Sequence, residues 1–326
     1  MTQNEFNTML MAALSDGLPS GYYTSQYNGE DIDNAITKTS QLTGRNLLDN
    51  WYFADPINQR GQTSYTGAVY GVDRWRSSTG NTISVETSGL RITGSNDTSF
   101  SNMIQQNFPE ELLNALDGKT VTASILVSEN TGGGAVAARL GSAPGSAVTT
   151  GLSTYTVTFN KSSHSYFSIQ CATPKTANFV VQAVKLELGT QQTLARKAVD
   201  GTWVLIDPPP NKAEHLARCQ WYFYRRKGTG SYSNYGNGYI NSANGAFIFV
   251  NVPEMRVTPT VKASGNFVLS MPGTAISVTS ISSGGASSNG LQRISASAAN
   301  SLTSNTPVRL QANNDTSTYI DFSADL

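Results

Sequence analysis

The apolar residues of this chain recur with two different periods. In residues 1–45, Phe6, Met9, Leu10, Ala13 and Leu14 fall at steps of three and four, the spacing of one helix face. Asp16-Gly17-Leu18-Pro19 stops that pattern. A second seam follows at Ile32, Ile36, Thr39 and Leu42, with Asn28 or Asp31 placed to cap it and Gly44 to end it. Helices this short are marginal alone in water, so each stripe needs a partner. Phe6, Met9, Leu10, Leu14, Ile32, Ile36 and Leu42 are expected to serve self-association or attachment to a larger assembly, packing on the chain's own body being the other reading.

From residue 46 the period shortens to two. TISVETSGLRIT, TVTASILVS, STYTVTFN, SYFSIQCA and NFVVQAVKLEL alternate or carry β-branched and aromatic residues, with Gly, Asn, Ser and Pro between them. FPEELLNAL gives one or two helical turns. In NLLDNWYFADPINQRG, Leu47, Trp51 and Phe53 share one strand face and Tyr52 takes the other. The segment predicts an opening strand with a buried aromatic face. Residues 46–190 thus predict a β-sandwich or jelly roll.

Residues 191–218 form a junction. TWVLI is strand-like, and the three prolines after it cannot sit inside a helix or a central strand. Asn211 with Glu214 three residues on makes a capping-box arrangement, which predicts a helix from Lys212 to about Gln220 burying Ala213, Leu216, Ala217 and Cys219. Residues 219–326 return to strands and predict a second small sandwich. Its last strand sets Tyr319, Asp321 and Ser323 against Ile320 and Phe322. The expected fold class is all-β: two β-sandwich or jelly-roll-like domains preceded by a short N-terminal helical segment.

Composition supports this. Only 13% of the 326 residues are charged, against about 25% in ordinary soluble proteins. Ser, Thr, Asn and Gly, the residues of strands and turns, take their place. Lys plus Arg equals Asp plus Glu at 22 each, so net charge favours neither nucleic acid nor an acidic membrane surface. Cys171 and Cys219 lie in apolar contexts and read as buried free thiols. The N-terminal MTQNEFNTMLMAALSDG lacks the basic region of a signal peptide, and no apolar run is long enough to span a bilayer.

Catalytic motifs are missing. There is no G-x-S-x-G elbow, P-loop, dinucleotide fingerprint or H-E-x-x-H. His164 and His215 read as packing or surface residues, and Glu110-Glu111 as acidic residues at a helix start. No enzyme activity and no cofactor are expected. The segment WYFYRRKGTGSYSNYGNGYINSANGAFIF is more informative. Tyr232, Tyr235 and Tyr239 lie among Asn234, Asn237, serines and glycines. Aromatic faces pack on the C–H faces of sugars, and Asn and Tyr supply directed hydrogen bonds to hydroxyls. Tyr232, Asn234, Tyr235, Asn237 and Tyr239 are the candidate glycan site, read as a loop whose glycines allow close approach; a hairpin packing its tyrosines across strands is the competing reading. Trp221, Phe223, Phe247 and Phe249 are expected to fill the core.

Taken together, YYTSQYNGEDIDNAI, NLLDNWYFADPINQRG with YGVDRW, VKLELGTQQT, DPPPNKAEHLARCQWYFY and ANNDTSTYIDFSADL resemble phage and prophage tail-fibre or receptor-binding proteins of gut bacteria. NLLDNWYF and VKLELG are also similar to the edges of carbohydrate-binding jelly-roll modules. Such modules sometimes hold a structural calcium, for which Asp49 or Asp55 would be available here, but too few ligands are visible to assign a metal. The resemblance implies a virion surface protein, made in the host bacterial cytoplasm, commonly a homotrimer. Its N-terminus would attach to other tail or capsid proteins, and its β domains would recognise a host surface glycan, with no nucleic acid partner and no membrane insertion. The alternatives are a purely structural virion protein binding only other virion proteins and, further off, a glycan depolymerase.

Overall fold

A computed structural model describes residues 5, 8, 44–96, 101–141, 143–172, 175–288, 290–299 and 302–326. The chain divides into two compact units, Met1–Thr43 and Gly44–Leu326. In the first, Glu5 and Thr8 are described, both helical and exposed. Phe6, Met9, Leu10, Leu14, Ile32, Ile36 and Leu42 lie outside the described residues.

Gly44–Leu326 is nearly all β, as the period-two pattern predicts. With strands numbered along the chain, a six-stranded sheet runs in the order β1 (Ser64–Thr66), β3 (Thr82–Glu86), β4 (Gly89–Asn96), β11 (Lys175–Leu188), β6 (Thr120–Asn130) and β9 (Gly151–Thr158). A five-stranded sheet has the order β2 (Arg76–Ser77), β5 (Ser101–Asn107), β10 (Tyr166–Cys171), β7 (Val136–Leu140) and β8 (Ala143–Pro144). One apolar core joins them, centred on Phe53, Trp75, Phe167 and Phe179. Trp75 sits edge-on to Phe53 at 5.1 Å and to Phe167 at 6.0 Å.

The opening NLLDNWYF is an irregular extended segment, bridged to β11 at Tyr52–Ala183. It is not the regular strand that alternation suggests. Asn46 hooks it onto β11: its Nδ2 donates to the Val184 carbonyl (2.7 Å), and its Oδ1 accepts from the Leu186 amide (3.2 Å). Asn50 is left-handed at φ 51°, a conformation Asn tolerates, and its side chain bonds Ile57 and the Asp73 carbonyl. That twist breaks the parity. Leu48 becomes fully buried beside Trp51 and Phe53, while Leu47 is only partly buried.

The KLEL motif has a related role. Lys185 and Glu187 are both buried. Lys185 Nζ reaches Asp207 at 2.6 Å and Thr193 Oγ1 at 2.8 Å, and Glu187 accepts from the Thr193 amide at 2.7 Å. These polar positions tie the sheet to the segment carrying the hairpin β12 (Ala195–Lys197) and β13 (Trp203–Leu205).

Helix α1 is Glu110–Leu116 and α2 is Lys212–Gln220. Asn211 caps α2 by accepting from the Ala213 and Glu214 amides. The buried residues of α2 are His215 and Cys219, one turn apart, whereas Ala213 and Ala217 are exposed. His215 therefore replaces the alanines expected on the inner face, lying 6.2 Å from the Trp51 ring. Cys171 and Cys219 are buried free thiols.

The C-terminal β region, expected as a second small sandwich, closes into a barrel. The strands β15 (Asn234–Ser242), β16 (Gly245–Asn251), β20 (Leu291–Ala298), β19 (Thr274–Ser288), β18 (Phe267–Met271) and β21 (Pro307–Ala312) pair in that order, and β21 returns to β15. Bulges in β15 and β19 bend the sheet, and closure leaves no edge strand. A three-stranded sheet of β14 (Phe223–Lys227), β22 (Tyr319–Ser323) and β17 (Thr260–Ser264) adds Ile320 and Phe322 to the barrel core.

The sandwich and the barrel region meet through polar contacts. Gln59 Nε2 donates to the Phe223 carbonyl at 2.6 Å. The Arg60 guanidinium lies 3.6 Å over the Phe223 ring and 2.8 Å from Asp325. Asp73, buried beneath Arg60, has its carboxyl pushed up to about 7 by burial, which outweighs the neighbouring guanidinium and the Gln59 hydrogen bonds.

Candidate functional site

The segment read as a glycan loop is mostly strand β15. Its pairing with β21 slips between Asn234 and Gly236, leaving Tyr235 as the extra residue of a bulge. The bulge turns Tyr235 inward. Its ring is 1% exposed and packs edge-on to Phe267 at 5.1 Å. Its hydroxyl lies 2.7 Å from the Thr318 carbonyl oxygen and 2.8 Å from Thr318 Oγ1, and burial pushes that phenol up. Tyr235 is a core residue and leaves the candidate ligand set.

After the bulge, regular alternation resumes with Asn237 and Tyr239 facing outward. Tyr239 is 40% exposed. Asn237 pairs with Phe249 of β16, and Tyr239 with Phe247. Phe249 is 39% exposed, so it is a surface residue, contrary to the expected core position. The reason is register: Ala246, Ile248 and Val250 take the inner face of β16, and Phe247, Phe249 and Asn251 the outer. Trp221, 41% exposed, also leaves the core, whereas Phe223 stays in it.

Asn234, Asn237, Tyr239, Phe249, Asn251 and Arg226 line a groove of about 530 Å³ on the outer barrel wall. Tyr232 is 64% exposed in the preceding turn, outside the groove lining. The structure thus brings together Asn234, Asn237 and Tyr239, but not Tyr232; Tyr235 also borders the groove, with its ring buried behind the wall. The structure adds Phe249, Asn251 and Arg226, which the sequence reading missed. The shared parity of Phe249 with Asn251 in AFIFVN is the signal that points outward.

The groove combines apolar faces with uncommitted polar groups. Tyr239 and Phe249 lie 6.4 Å apart with a 34° tilt, forming a broken platform. Among the described residues, the side chains of Asn237 and Asn251 make no hydrogen bond, so both can bond a ligand. Gly236 and Gly238 do not serve ligand approach. A Cβ on either would collide with the carbonyl oxygen of Phe249 or Phe247, so these glycines admit the neighbouring strand. A second depression of about 620 Å³ shares Asn237 and is bounded by Arg309 and Met271.

A larger cleft, about 670 Å³, opens between α1, α2 and the start of the sandwich, with Trp221, Phe108, Leu112 and Ala217 in its walls. Its floor is committed to structure. Asp49 is 2.6 Å from Arg218 and 3.1 Å from Arg74, whose guanidinium stacks 3.5 Å from Tyr222. Asp49 therefore meets two guanidinium groups, and Asp55 is 2.7 Å from the exposed Lys212. Neither has the oxygen-rich surroundings of a calcium ligand. His164 is likewise structural: its Nδ1 accepts from the Asn160 amide at 3.0 Å, and burial holds its pKa down.

No protein-family model matches the chain, and no curated protein is similar to it in sequence. Among solved structures it is similar to the N-terminal CBM22-1–CBM22-2 tandem domain of Xyn10C from Paenibacillus barcinonensis, at 12% identity and a TM-score of 0.28, covering 86% of this chain and 97% of that one. That likeness is too distant to carry residues from one chain to the other.

Proposed function

We propose that this chain is a non-catalytic glycan-binding protein that uses the outer wall of its C-terminal barrel. One observation carries the reading: Tyr239 and Phe249 stand exposed beside the uncommitted side chains of Asn237 and Asn251 in a single groove. Sugars present apolar C–H faces and a rim of hydroxyls, and this groove offers a surface for each. The alternative cleft has its central carboxylate already held by two arginines. The ordered motifs that resemble phage and prophage fibre proteins support placement on a virion surface. On that reading, residues 1–45 attach to other virion proteins and hold a homotrimer.

The test is binding of purified protein to a glycan array and to whole bacterial cells. Phe249→Ala and Tyr239→Ala should each cut binding about ten-fold or more while lowering the unfolding temperature only slightly, since aromatic contacts dominate such sites. A protein that binds no glycan and no cell, yet still enters particles, has a purely structural virion role. Release of reducing ends from any bound polysaccharide would overturn the non-catalytic part.

A further inference from the structure

The six barrel strands contain no Asp or Glu, and their two charged residues are Arg293 and Arg309. Both face outward and both fall in one cross-strand row. Arg293 pairs with Phe249, Phe249 with Asn237, and Asn237 with Arg309. The groove centre, Phe249 and Asn237, is thus flanked by a cation on either side. Elsewhere Arg60, Arg74, Arg91, Arg218 and Arg225 pair with carboxylates, whereas Arg226, which lines the groove, gives its guanidinium to the Asn251 carbonyl instead. Among the described residues, Arg293 and Arg309 make no ion pair. Arg293 is also held in place, with its guanidinium 4.3 Å over the Phe247 ring and its Nε donating to the Gly284 carbonyl at 2.9 Å.

From this row we propose that the groove takes an anionic polysaccharide, one whose carboxylates (uronate or sialate) are spaced along an otherwise neutral chain. This rests on the glycan reading above and sharpens it. Two guanidinium groups offer planar, bidentate recognition of carboxylates. They stand three strand spacings apart, roughly 14 Å along the wall. Asn237 and Phe249 between them suit hydroxyls and a sugar face. The same spacing disfavours nucleic acid, whose duplex carries a charge about every 1.7 Å and calls for a denser set of cations.

The experiment uses the full chain on an array of bacterial polysaccharides, each printed in its native acidic form and after reduction of its carboxylates to alcohols, with neutral polysaccharides and double-stranded DNA alongside. The expected result is binding to at least one acidic member, about ten-fold weaker after carboxyl reduction. Arg309→Ala and Arg293→Gln should each give a comparable loss, and Arg309→Lys should recover part of it. Binding that needs Phe249 but is indifferent to carboxyl reduction and to both arginine variants overturns the inference and leaves the glycan reading standing. Binding to no glycan overturns both. DNA binding at similar strength, lost in the same variants, assigns the row to a polyphosphate instead.

Discussion

Tyr235 and Tyr239 stand four residues apart on one strand, and their substitutions should have opposite consequences. Tyr235 is buried. Replacing it by Phe keeps the packing on Phe267 and removes the hydroxyl beside Thr318. The Thr318 carbonyl retains a second donor, the Gly228 amide at 3.2 Å, so the loss is that of one buried hydrogen bond, about 1–1.5 kcal/mol. In a unit of this size that lowers Tm by roughly 2–3 °C. Tyr235→Ala also deletes a buried ring, at about 3–5 kcal/mol, a large part of the 5–15 kcal/mol margin of a typical protein. Tyr239→Ala and Phe249→Ala remove side chains that are already 40% and 39% exposed, and should cost about 1–2 kcal/mol, well below Tyr235→Ala. Thermal and urea unfolding of the four variants, read beside glycan-array binding, separates the two sets. A Tyr235→Ala protein with unchanged Tm and abolished binding would refute the bulge-driven assignment and return Tyr235 to the ligand surface.

Three further outcomes follow from groups outside the groove. Asp73 has a folded-state pKa near 7, above its ordinary 3.8, so the fold favours its protonated form. The associated stability is complete below about pH 4, is lost as pH rises toward 7, and is at most of order 4 kcal/mol. In urea unfolding between pH 4.5 and 8, the stability of the native chain minus that of Asp73→Asn should therefore fall as pH rises; a pH-independent difference contradicts the assignment. Asp207→Asn removes the nearest anion from the buried Lys185, which keeps Glu187 at 3.7 Å and Thr193. A loss of about 2 kcal/mol is expected, below the 3–5 kcal/mol of an isolated buried pair, and a change under 0.5 kcal/mol in urea midpoints would show that the network is not holding the segment after the sandwich. Deleting residues 1–45 should convert a trimer to a monomer by light scattering, whereas a full-length chain that is monomeric at micromolar concentration rejects the proposed seam of Ile32, Ile36 and Leu42.

Much of the fold can be read where local physics is sufficient. The alternating runs become strands, Asn211 caps the helix after the prolines, and both thiols are buried. The readings that fail are those in which one residue changes the parity of its neighbours. Asn50 adopts a left-handed conformation because its side chain can satisfy three backbone groups around Ile57 and Asp73, and Leu48 then replaces Leu47 in the core. Lys185 and Glu187 alternate with the apolar Val184 and Leu186, yet all four are buried. The two charged residues are buried because a segment further along the chain folds over them with matching partners. Asn46 and Asn50 read in the sequence as ordinary polar turn residues and act as backbone clamps in the fold.

The same consideration bears on the candidate site. In an unbroken strand Tyr235, Asn237 and Tyr239 share a face, and the sequence invites a three-residue ligand surface. The bulge against β21 depends on a pairing with residues about seventy positions away, and nothing local announces it. Closure of the barrel depends on that same pairing, so the step that hides Tyr235 also leaves Asn237 facing out between Phe249 and Arg309. A site assembled from neighbouring strands cannot be seen in any one of them. Arg309 and Arg293, far from the tyrosines in sequence, join the row only because closure sets β21 and β20 on either side of the β15–β16 pair.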